Sequence, residues 1–217
     1  AIVGGGVPIA TGAGYSARYF GKGKVVCCFA GDGAYANGAP LESLNMACMD
    51  QFTDPRMTRS PFGVPVIYCI VNNQYGMTGR LAEVMGIEYL AKRGAGFKGN
   101  NMQAEVVNGM DVLAVREALR RAADECRAGR GPIMRELVTY RYYGHSLSDP
   151  RNEYRTKDEE VAWKEIDPAT TFAEQVLDAK VLTKGQLDDL KSAVLARNGR
   201  AAVRAARGHA RRHSRRR

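Results

Sequence analysis

The sequence predicts an α/β protein built on a mostly parallel sheet with helices on both faces. Three observations predict it. Short apolar runs at 25–30 (VVCCFA) and 64–71 (VPVIYCIV) have the continuous hydrophobic character of strands buried inside such a sheet. Stretches with helical spacing lie between these runs and after them, so strands and helices alternate. The predicted strands run into polar or glycine clusters, Gly31-Asp32-Gly33, Asn72-Asn73 and Gly144-His145. Parallel sheets of this kind bind ligands beyond the carboxyl ends of their strands, so the three clusters converge on one candidate site.

The elements follow in order. The chain opens on Ala1-Ile2-Val3-Gly4-Gly5-Gly6, without a methionine and with no signal peptide or transit segment in view, which leads us to expect an upstream part. Residues 8–20 predict a helix of small residues suited to close packing. The run at 25–30 predicts a strand buried on both faces. Residues 40–49 have helical spacing, with Leu41, Leu44 and Cys48 on one stripe. Residues 53–63 carry two prolines and two arginines and predict an exposed loop. The second buried strand, 64–71, ends at Asn72-Asn73, and 76–99 is glycine-rich without a clear period. A brief strand at 104–107 precedes Asp111, a predicted N-cap for a helix through Ala128 closed by Gly129. Val112, Val115, Leu119 and Ala122 line one face of that helix. Pro132 opens a strand at 133–140, and the chain from 158 to about 206 is polar and helical. This divides it into an α/β domain at 1–168, a helical region at 169–196 and an arginine-rich tail at 197–217.

At 217 residues, 45% hydrophobic and 25% charged, the chain suits one α/β domain and not a disordered protein. No apolar run approaches the roughly 20 residues that span a bilayer, so no membrane partner is expected. Five cysteines without a CxxC pair read as reduced core thiols and not as a disulfide frame or zinc site. The net charge of +9 is local. Nine arginines and no acid lie at 197–217, and the remaining 23 basic residues balance 23 acidic ones. A nucleic-acid role would therefore rest on the tail alone, which lacks interleaved aromatics.

Asp32, flanked by glycines that let backbone approach a ligand, suits a hard cation such as Mg²⁺ bridging to phosphate; equally, it suits a capped strand-to-helix turn. Asn72-Asn73 adds an amide oxygen, although asparagine pairs are also common turn formers. One carboxylate, one amide and a carbonyl make a low-charge set that fits magnesium completed by a diphosphate. His145, the one histidine outside the arginine tail, stands after a core strand where it could donate to phosphate or shuttle a proton. A rival reading takes Gly12-Ala13-Gly14-Tyr15-Ser16-Ala17 as a GxGxxA dinucleotide fingerprint with Asp32 downstream. No strand precedes it, and it leaves Asn72-Asn73 and His145 unexplained.

GDG and NN on successive strand ends resemble the thiamine diphosphate-binding motif. More widely, the chain resembles the α subunit of the E1 component of 2-oxo acid dehydrogenases, nearest the pyruvate type. IVGGGVPIATGAG, AGDGAYANG, ESLNMA, VNNQYGM, VNGMDVLAVREA, GPIMRELVTYRYYGHSLSDP and EYRT match in order over residues 1–168.

The resemblance implies a thiamine diphosphate-binding fold and a subunit of a pyruvate dehydrogenase (acetyl-transferring) oxidoreductase. Its reaction is thiamine diphosphate-dependent oxidative decarboxylation of a 2-oxo acid, pyruvate first, with acyl transfer to a lipoyl group of the E2 acyltransferase. An acetoin dehydrogenase α subunit is the alternative. By position, Asp32, Asn73 and the carbonyl of Tyr75 would hold Mg²⁺, Gly33 and Ala34 would contact the diphosphate, and Val3 would lie against the pyrimidine side. His145 would act near the diphosphate and the reaction centre, and Ser146 matches a serine phosphorylated in mitochondrial members. The implied assembly is an α₂β₂ heterotetramer in which the β subunit supplies the glutamate that activates the cofactor. The implied compartment is the cytoplasm of a bacterium or the mitochondrial matrix of a eukaryote. Departures are few. The stretch from Gly33 to Asn72 is long for the family, with 53–63 as the insertion, and Glu153 stands where mitochondrial members carry a second phosphorylated serine.

Overall fold

The structure is a computed structural model and describes residues 2–21, 23–53, 56, 63–97 and 102–214. The chain divides into two units, Ala1–Asp167 and Pro168–Arg217. In the first unit, α1 (Gly6–Tyr19) leads into β1 (Val26–Gly31), a 3₁₀ turn at Asp32–Ala36, α2 (Gly38–Ala47) and the single turn α3 (Asp50–Thr53). After β2 (Val66–Asn72) come the hairpin β3 (Tyr75–Gly76) and β4 (Gly79–Arg80), the short α4 (Leu81–Val84) and a 3₁₀ segment at Leu90–Gly96. Strand β5 (Gln103–Asn108), α5 (Val112–Arg127), β6 (Ile133–Val138), a 3₁₀ turn at Arg151–Glu153 and α6 (Lys157–Glu165) complete it. The second unit consists of α7 (Pro168–Asp178) and α8 (Lys184–Ser214). Thr183 caps α8 reciprocally: its Oγ1 accepts the Gln186 N–H at 3.3 Å and its own N–H donates to Gln186 Oε1 at 2.9 Å.

The four main strands form a parallel sheet in the order β1-β2-β6-β5. Their register places Gly31 opposite Val71, and Val71 opposite Leu137, so the carboxyl ends of β1, β2 and β6 are level. This is the α/β architecture expected, and it puts the Asp32 and Asn72-Asn73 clusters side by side.

One sheet face packs against α1 and α2. Val7, Ala10, Thr11 and Gly14 are the buried residues of α1, and Thr11 Oγ1 shares a 2.8 Å hydrogen bond with Tyr68 Oη on β2. Gly14 is where helix meets strand most closely, since a Cβ there would stand 2.2 Å from Val66 Cγ2. Gly12 and Gly14 thus lie inside a helix, not in a phosphate-binding turn after a strand. The dinucleotide reading is overturned, because its fingerprint needs that strand-to-helix turn.

The other face packs against α5, capped by Asp111, whose carboxylate accepts the N–H groups of Leu113 and Ala114. Gly129 closes α5 at φ +79°. The buried stripe is Ala118, Ala122 and Cys126, with Val115 and Leu119 packed at its edges; Val112, expected inward, is 42% exposed in the first turn. Helix α5 covers β2, β6 and β5 but leaves the edge strand β1 open. Phe29 is therefore 59% exposed and Cys27 also faces solvent, so β1 is not buried on both faces as expected. By contrast β2, central in the sheet, is buried almost throughout. On α2 the buried positions are Pro40, Ser43, Leu44 and Ala47, with Cys48 as C-cap; Leu41 points outward because the stripe is set by Pro40 and Leu44. The expected loop at 53–63 lies almost wholly outside the described residues.

All five cysteines are free, and burial pushes the thiols of Cys48, Cys69 and Cys126 up to about 12, which keeps them protonated and inert. Among the described residues no helix is long and apolar enough to cross a membrane.

Candidate functional site

The level strand ends bring the Asp32 turn against the Asn73 turn. Asp32 follows the last residue of β1 and is 1% exposed. Its Oδ1 accepts the Gly33 N–H at 2.7 Å, while its Oδ2 is buried without a hydrogen-bond partner among the described residues. Burial raises the carboxyl above its ordinary pKa, against the opposing pull of the backbone N–H groups of Gly33, Gln74 and Asn73 and the charge of Arg141. A carboxylate in that condition is a poor structural group. Its free oxygen suits a cation, which would also offset the cost of burying the charge.

The two turns touch through glycines. A Cβ on Gly33 would stand 2.9 Å from Gly76 Cα, and a Cβ on Gly76 would meet Val84 Cγ2 at 3.0 Å. Within the second turn, Asn73 Oδ1 accepts the Tyr75 N–H at 3.3 Å and Gln74 holds φ +74°. Asn72 is different: it is buried and its amide donates to Glu136 Oε1 at 2.7 Å. Of the asparagine pair, one is anchored in the sheet and the other is left at the site.

Tyr75 is buried, and its hydroxyl donates to Glu159 Oε1 at 2.7 Å. Burial, with Glu159 beside it, pushes that phenol up to about 12. A cavity of about 650 Å³ opens here, lined by Asn72, Gln74, Tyr75, Leu81, Met85 and Trp163 among others. Val3 is exposed, but its carbonyl accepts from Asn37 Nδ2 at 3.4 Å, and its neighbour Gly4 sits where a Cβ would approach the Ala34 carbonyl to 3.2 Å. The Val3-Gly4 segment therefore lies against the 3₁₀ turn that carries Ala34.

His145 and Ser146 lie on an exposed loop that forms a separate concavity with Tyr143 and Asp149. The His145 N–H donates to Asp149 Oδ2, which also accepts from the Tyr154 hydroxyl at 2.6 Å. These two donors, Tyr154 first, hold the Asp149 carboxyl below its ordinary range. Arg141 links loop and site: it donates to Tyr154 Oη at 3.2 Å and to the Met77 carbonyl, and its charge acts on Asp32. Arg155, with a fully buried side chain, donates to the carbonyls of Arg141 and Tyr143 and lies 5.7 Å from the Tyr75 ring centroid.

Asp32 and Gly33 thus meet the Asn73–Gly76 turn, with Ala34 and the Val3-Gly4 segment adjoining, whereas among the described residues His145 and Ser146 connect to that group through Asp149, Tyr154 and Arg141. Sequence reasoning gave no role to Arg141, Arg155 or Glu136. The signal was available for Glu136, a carboxyl inside the strand IMRELV, where burial of a charged group calls for an explanation. Among the described residues no three His, Cys, Asp or Glu side chains cluster as metal ligands, and a carboxylate, amide and carbonyl set is not of that type.

The sequence model of the Dehydrogenase E1 component family matches residues 1–213. The chain belongs to this family. Pyruvate dehydrogenase E1 component subunit alpha type I, mitochondrial, of Ascaris suum is 36% identical over 195 residues, covering 89% of this chain and 45% of that protein. The subunit alpha of Porphyra purpurea is 33% identical over 201 residues, with 89% and 54% covered. That of Rhizobium meliloti is 37% identical over 194, with 89% and 51% covered. The chain spans about half the length of the curated relatives it matches.

Proposed function

We propose that this chain is the α-type part of a pyruvate dehydrogenase E1 component. It would bind thiamine diphosphate and Mg²⁺, decarboxylate pyruvate oxidatively and pass the acetyl group to a lipoyl group of an E2 acyltransferase. The observation that carries the reading is the buried Asp32 oxygen without a partner, facing the Asn73 turn across two glycines. Membership of the E1 family and the printed names of the relatives support it.

In this reading Asp32 Oδ2, Asn73 Oδ1 and the Tyr75 carbonyl would hold Mg²⁺, a hard cation that prefers oxygen ligands and commonly binds phosphate oxygens as well. The diphosphate would be contacted by Gly33 and Ala34, with Val3 toward the pyrimidine, and the close packing of Gly33 on Gly76 would hold the two turns at the separation the cation needs. Bound thiamine diphosphate supplies the electron sink for decarboxylation. The residues of this chain bind, orient and exclude water. Tyr75 is held by Glu159 and fixes the turn, and His145 donates to a phosphate oxygen or moves a proton near the reacting centre. Asp149 and Tyr154 set the height of the His145 loop. A phosphate on the exposed Ser146 would add a charge of about −1.5 to −2 to the loop that Asp149, Tyr154 and Arg141 tie to the site, and would disfavour the diphosphate from there.

The partners proposed are a β-type subunit, in an α₂β₂ assembly, and the E2 acyltransferase. The β-type subunit supplies the activating acid, so turnover needs both chains. The test is reduction of an artificial electron acceptor by the assembled enzyme. Pyruvate should support it, Asp32→Asn should abolish it, and omission of the β-type subunit should abolish it too. Turnover with acetoin and none with pyruvate would refute the substrate assignment; turnover by Asp32→Asn at the wild-type rate would refute the site.

A further inference from the structure

The group that the proposed chemistry leaves unused is Glu136. It is 0% exposed, on the central strand β6, and on the same sheet face as Asn72 of the neighbouring strand. Such a residue is costly in a sheet core unless donors satisfy it. Two do. Asn72 Nδ2 donates to Oε1 at 2.7 Å, and the Ala91 N–H, from the 3₁₀ segment at Leu90–Gly96, donates to Oε2 at 2.8 Å.

What Glu136 holds is the root of the Asn73 turn. With its amide nitrogen engaged, Asn72 presents Oδ1 upward, where it accepts the Gln74 N–H at 3.3 Å and Gln74 Nε2 at 3.4 Å. The Asn72 carbonyl accepts the Thr139 N–H at 2.8 Å, fastening the same residue to the exit of β6. Gln74 takes a left-handed conformation that a side chain rarely adopts unaided, and its own carbonyl accepts the Leu81 N–H at 2.9 Å. Asn73 and Tyr75 stand on either side of it. An apolar residue at 136 would fill the same space, yet it would let the Asn72 amide rotate and would free Gln74.

We infer that Glu136 is a positioning residue for the cation site: through the Asn72 amide it sets the depth and orientation at which Asn73 and the Tyr75 carbonyl face Asp32. For the identity of what binds there, this rests on the function proposed above.

Exchanging the polarity of the hydrogen bond tests it. Glu136→Gln leaves one acceptor oxygen for two donors, the Asn72 amide and the Ala91 N–H, so one of those bonds is lost, and Asn72→Asp places a carboxylate against Glu136 and loses the bond between them. In the double variant the new amide at 136 donates to the new carboxylate at 72. The Ala91 and Gln74 N–H groups keep acceptors, and net charge is unchanged.

Mn²⁺ binding in the presence of thiamine diphosphate is followed by the loss of the free-ion electron paramagnetic resonance signal, and hydrogen exchange at the Gln74 and Tyr75 amides is followed without ligand. Each single variant should weaken Mn²⁺ binding by about tenfold or more, the loss of a hydrogen bond to a charged group, and quicken exchange. The double variant should recover both. If the wild type binds and the single variants bind equally well, the inference falls and the proposed function stands. If the wild type binds no Mn²⁺, both fall. If the single variants do not fold, the double variant decides: binding near the wild-type affinity supports the inference, and a folded double variant without binding overturns it.

Discussion

Replacing Gly33 by alanine adds one methyl group where the two halves of the site touch. Its Cβ would stand 2.9 Å from Gly76 Cα, against an ordinary contact of 3.4–4 Å, so the hairpin must retreat by about 0.5–1 Å. It has little room. Behind Gly76 stands Val84, whose Cγ2 already lies 3.0 Å from the place a Cβ on Gly76 would take. Overpacking of this kind costs about 1–3 kcal/mol. The loss of unfolded-chain entropy returns only about 0.4–1 kcal/mol. At about 2–4 °C per kcal/mol for a domain of this size, the expected fall in melting temperature is a few degrees and at most about 10 °C. Because Asn73 and Tyr75 ride on the displaced turn, affinity for Mg²⁺ with thiamine diphosphate should fall as well, beyond what the lost stability explains. Thermal melts by circular dichroism and calorimetric titration measure the two effects. A Gly33→Ala protein that melts and binds like the wild type would refute the close approach and the site built on it.

Further outcomes follow from the same geometry. Gly12→Ala, at an exposed helix position with open space, should stabilise by up to about 1 kcal/mol, whereas Gly14→Ala, two residues on, should destabilise because its Cβ would stand 2.2 Å from Val66 Cγ2; paired melts check the opposite signs. Asp32→Asn keeps the shape of the site and removes its charge, so it should fold yet bind Mg²⁺ with thiamine diphosphate at least about tenfold more weakly by calorimetry. Asp149 is held below its ordinary pKa by Tyr154 and the His145 N–H, so its contribution is present above the unfolded value near 3.9 and is lost as pH falls through the lower folded value. Asp149→Asn should therefore speed proteolysis of the loop at 143–150 at neutral pH, and the difference from wild type should begin to shrink only below about pH 4 and vanish as pH falls past the lower folded value.

The sheet was legible because β2 is a central strand whose hydrophobic run reports burial directly. The exposure of β1 was not. Its run VCCFAG resembles that of β2, and only the position of α5 across the sheet decides that Phe29 meets solvent. Local spacing gave the N-cap at Asp111 and the closure at Gly129, yet it placed Val112 and Leu41 inward, since a period of 3.6 residues marks a stripe without fixing where packing begins and ends.

At the site, Gly31-Asp32-Gly33 and Asn72-Asn73 were readable as turns at strand ends. The division of labour between Asn72 and Asn73 was not, because it depends on Glu136, 64 residues away and adjacent only through the strand register. Arg141 and Arg155 were hidden for the same reason. Each acts on backbone carbonyls and aromatic rings of other segments, and no spacing within the sequence records such contacts.

The central claim is that a divalent cation sits against the free oxygen of Asp32. Diffraction from crystals grown with Mn²⁺ and thiamine diphosphate tests it most directly. An anomalous peak at about 2.0–2.3 Å from Asp32 Oδ2, shared with Asn73 Oδ1 and the Tyr75 carbonyl, is the predicted result. A fully occupied metal and coenzyme bound elsewhere, with Asp32 untouched, would contradict it.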